Sequence, residues 1–147
     1  MIYIVKSLFN KDITDGLYEG CLSAMKEKGI EAEIHLKDVP GAFDIPGAVS
    51  KIVKKDSAEL IITLGCVIKG DTDHYHYICD AVSNGIMKLT IQSETPILFG
   101  ILTCQNKEFA LIRSGENMKK NKGYELGIMA YKLLLEEPTS KVRYGKK

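Results

Sequence analysis

The sequence predicts an α/β domain built on one four-stranded parallel sheet with helices on both faces. Three observations carry this. The run Leu60, Ile61, Ile62, Leu64, Val67, Ile68 is almost unbroken in apolar and β-branched residues, as in a parallel strand covered on both sides. Strand-like and helix-like segments alternate four times along the chain, which is the pattern of successive β/α units with right-handed crossovers. The chain has 147 residues, the length of one ordinary domain.

Ile2 to Val5 makes a short first strand that ends at Ser7, Leu8, Phe9, Asn10, so that Phe9 falls on a strand-to-helix loop. Asp15 to Lys28 follows as a helix with Leu17, Cys21, Ala24 and Met25 on one face, and Gly29 supplies its stop. Ala32, Ile34 and Leu36 alternate with Glu33, His35 and Lys37, the period of a half-exposed edge strand, with His35 expected to face solvent. In VPGAFDIPGAV, Pro40 and Gly41 force a turn, Phe43 and Asp44 lie on the loop, and Pro46 suits the first turn of a helix reaching Lys54 or Lys55.

The central strand breaks at Gly70. Asp71, Thr72 and Asp73 are helix-capping types, and Ile78, Ala81, Val82, Gly85, Ile86 and Leu89 have the three-and-four spacing of a one-sided helix. Pro96 to Leu102 is the fourth strand, with Phe99 and Gly100 inside it and an exit loop from Thr103 to Asn106. A short helix through Ala110, Leu111 and Ile112 to Arg113 ends at Ser114 and Gly115. Glu116 to Gly123 reads as a solvated loop. Tyr124 to Glu136 is the last helix, with Leu126, Ala130, Leu133 and Leu134 as its buried stripe. The domain is thus expected over residues 1–137, and residues 138–147 form a basic tail with no core to join, expected to be disordered.

Composition narrows the function. With 45% hydrophobic and 27% charged residues and a formal net charge of +1, nothing draws the chain as a whole towards nucleic acid or membrane. No apolar run approaches the roughly 20 residues that span a bilayer. MIYIVKSLFN is too short and too interrupted for a signal peptide, so a cytoplasmic location is expected. Cys21, Cys66, Cys79 and Cys104 form no CxxC pair and read as reduced small hydrophobes.

Phe9, Phe43 with Asp44, the Gly70 to His76 turn and the Thr103 loop each follow a strand, so the fold gathers them at one crevice. Phenylalanines there either stack on a flat heteroaromatic ring or pack under their own loops. His74 is the candidate for proton transfer, because an imidazole both gives and takes a proton near neutrality; a cap or surface role is the alternative. Asp73, His74, His76, Cys79 and Asp80 are all of metal-ligand type, but His74 and His76 project to different faces of a helix, and a metal is not expected. Arg113, Lys119, Lys120 and Lys122 are either a phosphate clamp or a charged surface run.

VPGAFDIP, TLGCVIKGDTDHYHY, ILFGILT and IRSG followed by NKG, in this order, closely resemble the lumazine synthase family, the penultimate enzymes of riboflavin biosynthesis. The resemblance implies a flavodoxin-like three-layer αβα sandwich. It also implies condensation of 5-amino-6-(D-ribitylamino)uracil with 3,4-dihydroxy-2-butanone 4-phosphate, without metal or organic cofactor. Carried onto this chain, it makes Phe9 the platform under the pyrimidine ring. Ala42, Phe43 and Asp44 would hold the ring and ribityl chain, with backbone help from Cys66, Val67 and Ile68. Asp71 and Thr72 would meet the phosphate through backbone N–H groups, and His74 would be the general acid/base. Phe99, Arg113 and Lys122 would come from a neighbouring subunit of a homo-oligomer.

Two departures stand out. His76 occupies a place where the family commonly has an acid, and Asp44 a place where Glu is usual. Family members form pentamers or shells of twelve pentamers. The start of the sequence almost at its first strand, and the loop from Gly115 to Asn121, point to a free pentamer. The alternatives are a riboflavin synthase of the archaeal kind, with the same fold, and a shell-forming or flavin-binding relative without turnover.

Overall fold

The computed structural model describes residues 1–136 and the backbone of 143–144. The elements are β1 (Ile2–Ser7), α1 (Lys11–Glu27), β2 (Ile30–Glu31), β3 (Ile34–Val39), a 3-10 turn at Ala42–Asp44, α2 (Ile45–Lys55), β4 (Leu60–Ile68), α3 (His74–Gln92), β5 (Ile97–Cys104), α4 (Lys107–Ile112), α5 (Lys122–Glu136) and β6 (Arg143–Tyr144). Strands β3, β1, β4 and β5 lie side by side in that order, all parallel. The chain thus winds one way from β1 to β3 and the other way from β4 to β5. The reversal opens a crevice above the carboxyl ends of β1 and β4.

The period of two along β4 builds both cores. Leu60, Ile62, Leu64 and Cys66 point into a cluster with Ile4, Leu17, Cys21, Met25, Leu126 and Leu134 beneath α1 and α5. Ile61 joins Val5, Ile45, Val49, Val82, Ile86 and Ile101 beneath α2 and α3. The result is the three-layer sandwich. Helices α1 and α5 meet almost backbone to backbone, since a Cβ on Gly127 would lie 2.7 Å from the Cys21 carbonyl oxygen. Gly29, at φ 67°, ends α1 as its type suggests. No helix among the described residues is long and apolar enough to cross a membrane.

Several boundaries differ from expectation, each for a local reason. Helix α1 starts at Lys11, because Asn10 adopts a left-handed conformation (φ 58°) that turns the chain straight into the helix. The edge strand runs Ile34–Val39 with weak alternation. His35 does reach solvent, its side chain 40% exposed and 3.0 Å from the Glu33 carboxylate with its ring 5.3 Å from that of Tyr3, but Leu36 is exposed too. On α3, Val82 and Ile86 are buried and Ile78, Gly85 and Leu89 half-buried, but Ala81 is exposed and Tyr75 takes a buried place. Helix α5 begins at Lys122, inside the stretch expected to be solvated. The expected disorder of the tail concerns residues outside the described ones, apart from β6, whose backbone pairs antiparallel with β2.

Candidate active site

The loops after β1, β3 and β4 enclose a cavity of about 360 Å3. Its lining includes Phe9, Ala42, Phe43, Cys66, Val67, Ile68, Thr72 and His74, together with Gly41, Gly70, Tyr75 and Ile78. Residues scattered over seventy positions of sequence thus face one space. Each is held by local structure. The Asn10 side chain donates to the Cys66 carbonyl oxygen at 3.1 Å, fixing the loop that carries Phe9 against the end of β4. Phe9 itself is 71% exposed and Phe43 61% exposed, so neither ring is packed under its own loop. Two bare aromatic faces at a cavity mouth suit a flat ligand ring.

His74 begins α3, its backbone N–H donating to the Thr72 hydroxyl at 3.3 Å, and its side chain is open to the cavity and to solvent. Cys66 is a poor nucleophile, since burial pushes its thiol up to about 12. All four cysteines are free thiols. Among the described residues no group of three His, Cys, Asp or Glu side chains stands close enough to hold a metal ion.

Two expected members are turned elsewhere. Asp44 does not line this cavity. Its carboxylate accepts the Gly41 N–H at 3.0 Å, closing the 3-10 turn, and it faces a separate groove of about 550 Å3 with Lys37, Lys51 and Lys55. The shorter acid is thus engaged by its own loop. Asp71 is exposed and lines neither this cavity nor that groove.

Phe99, Arg113 and Lys122 lie together, but in a different concavity of about 510 Å3 along the end of β5, with Thr103, Cys104 and Phe109. It has no lining residue in common with the His74 cavity. Arg113 folds back over the Phe109 ring, 5.6 Å from its centroid, and donates to the Phe109 carbonyl at 3.0 Å. Lys122 is bound to Arg113 through its backbone N–H, 2.7 Å from the Arg113 carbonyl oxygen, while its ammonium pairs with Glu125 at 3.1 Å. The two cations therefore flank one concave surface with an exposed aromatic face beside them. Such a surface can grip a phosphate by charge-assisted bonds.

Two residues that sequence reasoning passed over organise these surfaces. Asn121, only 2% exposed, donates to the carbonyls of Gly16 and Gly115 at 3.1 and 2.9 Å and accepts the Tyr124 N–H at 3.0 Å, clamping the Arg113 loop to α1. It opens the NKG motif, but its polar neighbours give no sign of burial. Tyr75 lines the His74 cavity, and extending the Ile78, Val82, Ile86 stripe back by three would have found it. The family model described as 6,7-dimethyl-8-ribityllumazine synthase matches residues 1–137 of this chain.

Proposed function

The chain belongs to the 6,7-dimethyl-8-ribityllumazine synthase family of riboflavin biosynthesis, and from that premise we propose that it catalyses the family's condensation itself. The substrates would be 5-amino-6-(D-ribitylamino)uracil and 3,4-dihydroxy-2-butanone 4-phosphate, with phosphate and water lost. The observation that carries this is the single cavity holding Phe9, Phe43 and His74 with the carboxyl end of β4.

In this reading the pyrimidine lies on Phe9, bounded by Ala42 and Phe43, and reads the backbone of Cys66, Val67 and Ile68. The 5-amino group attacks the ketone carbonyl and water leaves to give an imine. Phosphate is then eliminated, and the ribitylamino nitrogen attacks the remaining carbonyl carbon, closing the second ring with loss of a second water. Each step moves a proton at a carbon, nitrogen or oxygen within reach of the cavity, and His74 is the group there able to give and take one near neutral pH. Holding two reactants in register supplies most of the remaining acceleration, so no cofactor is invoked.

The phosphate would be held by Asp71 and Thr72 backbone N–H groups at the start of α3 and by Arg113 and Lys122. Because Arg113, Lys122 and Phe99 line a separate concavity, the reading requires that they come from a neighbouring copy. A ring of five is proposed. Exposed Tyr77, Met87 and Ile91 on α3, and Phe109, Leu111 and Ile112 on α4, agree with surfaces that a neighbour would cover. A cytoplasmic location goes with this reading, and four reduced cysteines agree with it.

Mixing the protein with both substrates and following the fluorescence of the lumazine product tests the reaction. Product supports it; its absence, with lumazine consumed instead, would favour a riboflavin synthase. Light scattering tests the assembly. Five 16.3 kDa chains give a particle of roughly 80 kDa, and a particle near a million daltons would mean a shell instead.

A further inference from the structure

The groove of about 550 Å3 beside α2 shares only Phe43 with the His74 cavity and no lining residue with the Arg113 concavity. It is a separate space, of a size that suits a small molecule. Asp44, Gly47, Ala48, Lys51, Ile52 and Lys55 fall on one stripe of α2 and its start, and that stripe makes one wall. Tyr3, Lys37 and Val39, on the face of β1 and β3 turned towards α2, make the other. Val39, Ala48 and Ile52 thus give the groove an apolar floor, and Tyr3 and Phe43 give it ring faces.

Its charge is unbalanced. Lys6, Lys11, Lys107 and Lys122 each pair with a carboxylate, but among the described residues Lys37, Lys51 and Lys55 pair with none. Asp44, the one acid in the lining, already accepts the Gly41 N–H. Lys51 and Lys55 also stand one helical turn apart, where like charges weaken a helix. Gly47 weakens it again, and nothing in the fold calls for a glycine there: its φ is not positive, and a Cβ would meet no atom within 4 Å. Both features cost stability. Both keep the groove cationic and open.

We propose that this groove is a second ligand site, for a mononucleotide whose phosphate lies among Lys37, Lys51 and Lys55 and whose flat base lies on the apolar floor and ring faces. Lysine ammoniums hold a phosphate as point charges. A bare anion would leave the floor unused, and an apolar ligand would leave the lysines unused.

Calorimetric titration of the full-length, assembled protein with AMP, GMP, CMP and UMP in turn tests this. At least one should bind once per chain, with a Kd that rises with salt. Inorganic phosphate and the matching nucleoside should each bind at least about tenfold more weakly, and Lys51→Ala/Lys55→Ala should raise Kd at least about tenfold, the factor for loss of one charge-assisted bond. Gly47→Leu keeps every lysine and fills the groove. It should abolish binding while the melting temperature holds or rises, because leucine favours a helix more than glycine does. Lysines acting only as a charged surface would bind the nucleotide equally well in Gly47→Leu, and that result would overturn the proposal. Loss of binding in Arg113→Ala with Lys51→Ala/Lys55→Ala unaffected would also overturn it, by moving the nucleotide to the other concavity; this pair decides if Gly47→Leu does not assemble. No binding of any of the four would overturn it as well, as when a neighbouring copy fills the groove. None of these measurements needs lumazine to be formed, so failure of the condensation and failure of this inference are read separately.

Discussion

The two concavities at the carboxyl edge of the sheet differ in what they lack. The one beside α3 has rings, backbone edges and an imidazole, but no lysine or arginine in its lining. The one beside α4 has a guanidinium, an ammonium and an aromatic face, but no histidine. The first is equipped to hold a heterocycle and move protons. The second is equipped to hold a doubly charged group. Neither alone suits the proposed condensation, and their complementarity supports the proposal of a site made from two chains better than either inventory does.

The sharpest way to break this contrast is Arg113→Ala. Loss of a forked, charge-assisted pair should lower kcat/KM for the phosphorylated substrate by on the order of a thousandfold, leaving the pyrimidine KM little changed. Steady-state kinetics showing Arg113→Ala unimpaired would remove the clamp from the scheme. His74→Ala should act on the other side, lowering kcat on the order of a hundredfold while both KM values hold, because a general acid/base acts in the transition state. Co-expressing these two variants should restore part of the activity, since some pairs of neighbours then have both intact surfaces.

Asn121→Ala removes a buried amide that serves three backbone groups. A loss of about 2 kcal/mol is expected in urea unfolding, with a rise in KM confined to the phosphorylated substrate. The smallest effect concerns pH. Hydrogen bonds and charge from Lys11 and Lys6 hold the Asp15 carboxyl below its ordinary 3.8. Its folded-state pKa is depressed, so the associated stability is present above the ordinary carboxylate range and is lost as pH falls through the lowered value. Melting curves should soften below about pH 4 in the wild type and less so in Asp15→Asn.

Much of this was legible before any coordinates. The strand Leu60–Ile68 was readable to its ends because burial on both faces makes it apolar throughout except for Thr63, whose hydroxyl donates to the Leu98 carbonyl oxygen. Once four β/α units were recognised, Phe9, Phe43 and His74 had to converge, since every loop that follows a parallel strand emerges at the same edge. What was not legible depends on packing at a distance. Residue type could not say that Asp44 would spend its carboxylate on the Gly41 N–H. Nor could a polar stretch reveal that Asn121 is buried against α1. The edge strand misled for another reason: with β1 as its one lateral partner among the described residues, its faces are unequally covered and alternation blurs.

The short bond between the Lys122 amide and the Arg113 carbonyl closes the intervening loop at its neck. Lengthening such a closed bulge costs little free energy, because closure entropy grows only with the logarithm of length. A peptide grafted at Lys119 would therefore swell outward while both cations kept their footing, making this loop a natural place to display foreign sequence.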